Sequence, residues 1–394
     1  MKRNKLIFII VVVGIILRVV FCLFTPTKMD LDPQYYYQTA MELCYHREHI
    51  SIPLKPPFYS IFLAMLFCIF GPSIILVQIA QCFLEGLTIY LVYFIARKIF
   101  SLEPVALLAS VITAVDPFLI YFTNDVMAET LSAFLVSTIS YFLILSTDGE
   151  LWSAIVAGCL IGLSVLTRGN FAGYLVFVCL LGLIYYIVNK KLRFGIYNLL
   201  AITIPALLIV SLWLYRNYRI YNEIVLAYQR GVLWQGLNPN FETFEGNKAW
   251  DKQIEDEIKG MDLIQSDRYA WKKGLEYIKQ YPEKFLYVYV KKILKFWRPV
   301  PYYGYSKKEK IISFAFFTPV LVLFISGLFL TARFAGKLWP LYAFILNFTL
   351  FTALMWVQLR YRVPLHPVLH VFAGYTLWYV VDRLIKKFGW KFNV

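Results

Sequence analysis

Apolar runs of about 17 to 25 residues recur along this chain, separated by short charged segments, and that is the length a helix needs to cross the hydrocarbon core of a bilayer. Ten such runs fall near residues 6–24, 73–95, 104–122, 126–145, 152–168, 171–188, 194–215, 311–332, 337–356 and 364–381. The composition agrees: 60% of the 394 residues are hydrophobic and 16% are charged, against roughly 45–50% apolar in soluble domains. A multi-domain soluble enzyme, a disordered chain, a coiled coil and a small disulfide-stapled secreted domain are all excluded. The expected fold class is an all-α polytopic membrane protein of about ten spans. The first run is read as a span, being too long for a signal peptide and followed by no small-residue cleavage site.

Sidedness follows from the cations near span ends. With the N-terminus inside, fourteen Lys and Arg fall on the inner face and six on the short outer segments. Both termini are therefore expected in the cytoplasm of a plasma (inner) membrane protein. The net charge of +15 is accounted for by this bias and by one basic external segment, so no nucleic-acid partner is expected. Three parts result: an N-terminal transmembrane module, 1–215, with a first outer loop at 25–72; an extracytoplasmic loop domain, 216–310; and a C-terminal transmembrane module, 311–394. Within the first loop, 57–70 is apolar but too short to span, and is expected to lie in the interface. The loop domain begins loop-rich around Gly231, Gly236, Pro239 and Gly246, then turns helical from Asp267 to Trp297 with an interruption at Pro282. Lys284, Lys291, Lys295 and Arg298 form a basic stripe that suits a membrane surface.

This topology brings polar residues to the outer face. The first loop carries Asp30 and Asp32 beside Tyr35, Tyr36 and Tyr37, then Lys55; Glu129 opens the fourth span, Arg168 ends the fifth, and Arg360-Tyr361-Arg362 follows the ninth. A carboxylate within about 3 Å of a nucleophile can take its proton. Arg and Lys are the side chains that hold phosphate. Chemistry alone does not separate Asp30 from Asp32. Arg18 lies inside the first span, and an unpaired charge there is costly; Asp116 or Glu85, at similar depth, is its expected partner.

The six cysteines are scattered, five of them in apolar runs, and are read as packing residues. His46 with His49 and His366 with His370 have ligand-like spacing. Pro367 interrupts the second pair and no Cys or Asp completes either, so no structural transition metal is expected; a divalent cation at the outer site is left open. No Gly-rich phosphate loop and no Gly-x-Ser-x-Gly elbow occurs, which favours an anionic substrate that is itself embedded in the membrane.

With these residues in view, the chain resembles the integral-membrane, lipid-phosphate-dependent glycosyltransferases of the C-type fold, in the branch of protein O-mannosyltransferases and bacterial aminoarabinose transferases. Asp32, Tyr36 and Ala40 are similar to that family's Asp-x-x-x-Tyr-x-x-x-Ala pattern, and Lys55-Pro56-Pro57-Phe58-Tyr59 resembles its Lys/His-Pro-Pro-Leu-Tyr element. Further matches are Glu129, Leu166-Thr167-Arg168, Trp213 to Asn217, Gly236 with Asn238-Pro239, Tyr281-Pro282 to Lys292 with Trp297, and Arg360-Tyr361-Arg362-Val363-Pro364. The resemblance implies transfer of a hexosyl or pentosyl unit from a polyprenyl-phosphate donor to a glycan, lipid or protein acceptor on the extracytoplasmic face, with inversion. It also implies Asp32 as general base, Lys55 on the donor phosphate, and the Arg360-Tyr361-Arg362 element near it. Two departures stand out: Leu54 replaces the Glu that precedes Lys-Pro in the aminoarabinose branch, removing one metal ligand, and Tyr35 replaces an Arg. A transporter or flippase of a lipid-linked sugar, and a non-catalytic protein of envelope-glycan assembly, are the alternatives from other classes.

Overall fold

The structure is a computed structural model that describes residues 2–46, 53–228, 231–241, 243–301 and 306–388. Among the described residues every regular element is helical. The helices are α1 Lys2–Phe24, α2 Leu31–Met41, α3 Phe58–Phe70, α4 Ile74–Phe100, α5 Glu103–Ala114, α6 Pro117–Asn124, α7 Glu129–Thr147, α8 Leu151–Val165, α9 Tyr174–Val188, α10 Leu192–Tyr221, α11 Val232–Gly236, α12 Phe244–Glu255, α13 Leu263–Gln280, α14 Pro282–Trp297, α15 Lys307–Leu330, α16 Ala335–Leu346, α17 Thr352–Leu354 and α18 His366–Phe388. Among the described residues seven helical stretches are long and apolar enough to cross a membrane, α9 and α16–α17 counting with the helical turns that adjoin them, or eight if the bent pair α5–α6 is one span. That is fewer than the ten runs suggested. The 15-residue α8 is an apolar helix too short for that test, and α18 is not among those that pass it.

The predicted span at 104–122 is broken, and α5 and α6 meet at 46°. Pro117 has no N–H to continue the helical ladder, and its neighbour Asp116 caps the new helix instead. Its Oδ1 accepts from the backbone N–H of Phe118 at 2.8 Å and of Leu119 at 3.3 Å. The exposed carbonyls at the end of α5 need a donor, because hydrocarbon offers none. Arg18 supplies it: Nη1 donates to the Ala114 carbonyl at 2.9 Å and Nη2 to that of Thr113 at 3.2 Å. The same Nη2 meets Glu85 Oε2 at 3.2 Å, with both side chains fully buried. Of the two expected partners Arg18 therefore takes Glu85; Asp116 is engaged by His366 and His370.

Small residues let helices approach. Ala154, Gly158 and Gly162 recur every four residues on α8, and a Cβ at Gly158 would collide with the Ile202 carbonyl of α10. This is the packing expected where lipid gives no hydrophobic drive to helix association.

In the first loop α2 and α3 pack together, Tyr36 lying edge-on to Tyr59 at 4.8 Å. Cys44 and Cys68 are disulfide-bonded, their Cα atoms 5.5 Å apart. This corrects the reading of all cysteines as packing residues. Cys68 looks like one more apolar helix position, and only the docking of α3 along α2 brings it to Cys44. Of the His46 and His49 pair, His49 lies outside the described residues.

The segment 216–310 is more helical than its glycines suggest. α11 to α14 enclose a small core of Trp234, Leu237, Trp250, Ile254 and Ala270, where Trp250 Nε1 donates to the Trp234 carbonyl at 2.8 Å. The α13–α14 junction falls at Pro282, which occupies the first turn of α14, where its missing N–H costs nothing. Along the basic stripe, Lys284 lies over the Tyr281 ring and Lys291 over that of Tyr287.

Two expectations follow. Replacing Cys44 and Cys68 by Ala should cost about 2–4 kcal/mol, read as a lower thermal midpoint in detergent. Arg18→Met leaves Glu85 as a buried lone charge and should cost about 3–5 kcal/mol; Arg18→Met with Glu85→Leu should recover part of that loss in the same measurement.

Candidate functional site

A cavity of about 570 Å³ opens between the loop and helices that follow α1, the α8–α9 turn, the segment after α10 and the strap ahead of α18. Asp32, in the first turn of α2, projects into it. Its Oδ1 meets Lys55 Nζ at 3.0 Å and its Oδ2 meets Arg360 Nη2 at 2.9 Å. Burial pushes the Asp32 carboxyl up, but Lys55 and Arg360 outweigh it and hold the group below the ordinary carboxylate range. Glu129, 1% exposed at the start of α7, pairs with Arg168 Nη1 at 2.9 Å and stands 4.0 Å from Arg360 Nε. The Arg168 guanidinium lies 4.9 Å from the Tyr361 ring centre and that of Arg360 5.5 Å from it. Tyr36 lines the same wall and is almost fully buried.

The scaffold behind these groups is built from backbone hydrogen bonds. Phe58 N donates to the Leu166 carbonyl at 2.8 Å, which fixes the Lys55-Pro-Pro-Phe segment against the turn bearing Arg168. Tyr228 N donates to the Pro53 carbonyl at 2.8 Å, joining the loop after α10 to the same segment. Gln81 donates to the Asp125 carbonyl at 2.8 Å and accepts from Tyr59 Oη at 2.9 Å, setting the turn that presents Glu129. Leu54 N donates to Tyr35 Oη at 3.2 Å, so the two positions that depart from the aminoarabinose branch touch each other. Lys292 Nζ donates to the carbonyls of Gly236 at 2.7 Å and Met355 at 2.6 Å. It thereby joins α11 and α14 to the strap that carries Arg360. Burial, with Lys295 close by, pulls the Lys292 ammonium down to about 7.

Two expected site residues stand elsewhere. Arg362 is fully buried and absent from the cavity wall; its Nη1 donates to the carbonyls of Phe296 at 2.8 Å and Arg298 at 3.1 Å, and its guanidinium stacks on Phe317. The segment Leu359–Leu365 is a 3₁₀ helix, with three residues per turn, so positions two apart face different ways. Asp30 lines a second cavity of about 540 Å³ with Phe21, Tyr121, Phe122 and Asp125, and the two cavities meet at Met127 and Arg360. Asp125 is pushed up to about 6 by burial and by the charge of Glu129. Sequence reasoning missed Asn170, Trp271 and Trp356 of the first cavity. They come from three remote segments and carry no local pattern.

Asp32 and Glu129 are each met by cations here, and Leu54 offers no ligand where the aminoarabinose branch has a Glu. Among the described residues the group that gathers metal-ligand atoms is Asp116, His366 and His370, away from this cavity. That corrects the expectation that no Asp completes the second histidine pair. Pro367 does not interrupt it either, because it sits in the first turn of α18.

Comparison with known proteins places the fold. Residues 54–215, less than half of the chain, match the family model described as dolichyl-phosphate-mannose-protein mannosyltransferase; Asp32 and Arg360 lie outside that stretch. Among curated proteins none matches the chain. The archaeal oligosaccharyltransferase AglB from Archaeoglobus fulgidus, in complex with an inhibitory peptide and a dolichol-phosphate, superposes with a TM-score of 0.64 at 14% identity, covering 99% of this chain and 51% of that one. The Archaeoglobus fulgidus oligosaccharyltransferase in complex with Zn and sulfate gives 0.58 at 16%, covering 96% and 49%. ArnT from Cupriavidus metallidurans, bound to undecaprenyl phosphate, gives 0.56 at 15%, covering 94% and 59%. The chain thus has the fold of the C-type integral-membrane glycosyltransferases and spans about half to three-fifths of the length of these structures.

The ion pairs differ in what they support. Arg168→Ala leaves Glu129 buried without its partner and should destabilise by about 3–5 kcal/mol. Lys55→Ala, at a partly exposed pair, should shift stability by under about 1 kcal/mol. Thermal unfolding of both variants in one detergent checks the contrast.

Proposed function

We propose that this chain is a glycosyltransferase that moves a sugar from a polyprenyl-phosphate donor to an acceptor hydroxyl on the extracytoplasmic face, with inversion and with Asp32 as general base. The observation that carries this reading is the Asp32 carboxylate set between Lys55 and Arg360 on the wall of a cavity that also holds Arg168.

Without donor, the two cations neutralise Asp32. An anionic donor phosphate competes for them, since paired guanidinium and ammonium donors bind phosphate oxygens strongly. As Lys55 and Arg360 turn to the phosphate, Asp32 loses opposing charge and regains basicity. Binding the donor therefore prepares the base. The acceptor hydroxyl then gives its proton to Asp32 while its oxygen bonds to the sugar carbon. The bond from that carbon to the phosphate oxygen breaks, and Lys55, Arg360 and Arg168 stabilise the second charge that the leaving phosphate gains. Attack opposite the leaving group inverts the carbon. Two cavities meeting at Arg360 give donor and acceptor separate approaches.

Sidedness draws support from the Cys44–Cys68 disulfide, because such bonds persist in oxidising compartments. The Lys and Arg bias agrees, with both termini cytoplasmic. The partners are then a polyprenyl-phosphate sugar and a glycan, lipid or protein hydroxyl.

The test is sugar transfer from a polyprenyl-phosphate sugar in proteoliposomes. Asp32→Asn should lower the rate by about 10²–10⁴-fold while the protein still binds polyprenyl phosphate, and Lys55→Ala should weaken that binding. In the wild type kcat/KM, which reports the free enzyme, should show no acid limb from Asp32 above about pH 4; Lys55→Ala should move that limb upward. Full activity in Asp32→Asn overturns the assignment, and loss of transbilayer lipid movement alone would favour a transporter.

A further inference from the structure

Asp116, His366 and His370 are fully or almost fully buried where α5 and α6 break against the start of α18. His366 and His370 lie one turn apart on α18, so both rings reach the same carboxylate. His366 Nδ1 stands 2.7 Å from Asp116 Oδ2, and His370 Nε2 3.1 Å from the same oxygen. Hydrogen-bond accounting fixes one tautomer. Thr113 Oγ1 donates to the Ala109 carbonyl at 2.8 Å, which uses its single proton. Toward His370 Nδ1, 3.0 Å away, Thr113 must therefore accept, and His370 carries its proton on Nδ1. In a neutral ring the lone pair of Nε2 then faces the Asp116 carboxylate. Two electron-rich atoms are in contact in a fully buried site, and His370 Nε2 has no hydrogen-bond partner among the described residues. A cation between them removes the conflict.

We infer that Asp116, His366 and His370 form a binding site for one transition-metal ion of the zinc type, held by Asp116 Oδ2, His366 Nδ1 and His370 Nε2. All three atoms lie within 4.8 Å of one another. Tetrahedral ligation with bonds of about 2.0–2.1 Å separates ligand atoms by roughly 3.3 Å, so the observed contacts need to open by only tenths of an ångström. Two nitrogens and one carboxylate oxygen are a borderline ligand set that suits zinc or cobalt. Two histidines four residues apart on one helix are a recurrent way of holding such an ion. The Thr113 hydroxyl on His370 Nδ1–H supplies the outer bond that orients a ligating imidazole. On binding, His366 moves its proton from Nδ1 to Nε2, so the ring stays neutral and gives up no net proton. Of the neighbouring charges, Arg18 and Glu85 cancel; Arg362 opposes the ion, but its donors are turned to the carbonyls of Phe296 and Arg298. The ion would tie the broken span to the helix that follows the Arg360 strap, a structural role distinct from the transfer chemistry.

The experiment uses the full chain in detergent. The wild type, grown with zinc and washed, should hold about one zinc per chain by mass spectrometry. After stripping with a chelator it should take up Co²⁺ with the ligand-field absorption of a four-coordinate site. Zn²⁺ should raise the thermal midpoint of the stripped protein. His366→Gln and His370→Gln should each lose the bound zinc and the cobalt spectrum. Should these variants fail to fold, the cobalt spectrum and zinc-dependent midpoint of the stripped wild type decide alone. Wild-type protein that holds no zinc and binds no cobalt after stripping would overturn the site. Cobalt absorption that persists in both folded variants would place the ion elsewhere and overturn it equally.

Discussion

The interaction on which the arrangement depends is the satisfaction of a broken helix inside the membrane. Hydrocarbon contains no water to hydrogen-bond the freed ends of α5 and α6, so side chains must do it. Arg18 covers the carbonyls of Thr113 and Ala114, and Asp116 caps the amides of α6. Glu85 balances Arg18, and the first turns of α18 supply histidines to Asp116. Five helices are thereby locked to one bend. The bend redirects α6 so that the turn through Asn124 and Asp125 leads Glu129 into the outer cavity.

At that cavity the electrostatics are nearly balanced before any substrate arrives. Asp32 faces Lys55 and Arg360, Glu129 faces Arg168, and Arg360 stands between the two carboxylates. A partly closed site in which each carboxylate faces a cation suits an anionic ligand, because a cation that changes partner buries no new charge. The same balance holds the Asp32 carboxyl below the ordinary carboxylate range although the side chain is partly buried.

Parts remote from this cavity hold its residues in place. The disulfide ties the helix of Asp32 to the helix that follows Lys55, so the two ends of one ion pair rest on a cross-linked unit. Lys292 plays a matching part on the other side, joining the external helices to the strap before Arg360 through two carbonyls. A site assembled from loops thus acquires the rigidity that helices alone would give.

Apolar run lengths and the Lys and Arg bias were enough to establish a polytopic helical membrane protein, because bilayer thickness and backbone hydrogen bonding permit little else. They also marked Asp32, Lys55, Glu129, Arg168 and Arg360 as polar groups at one level, and a depth estimate offered Asp116 or Glu85 for Arg18, between which only packing decided. Other features were decided only by tertiary structure. The bend at Asp116 reads as continuous hydrophobicity, and no local pattern marks where the helix breaks. Cys68 is indistinguishable in sequence from its apolar neighbours, and the joining of Asp116 to His366 and His370 crosses 250 residues. Arg362 differs from Arg360 only in which side of a 3₁₀ turn it occupies. Local pattern reports how far a residue lies into the membrane, whereas which residues meet at that depth depends on how the helices pack around one another.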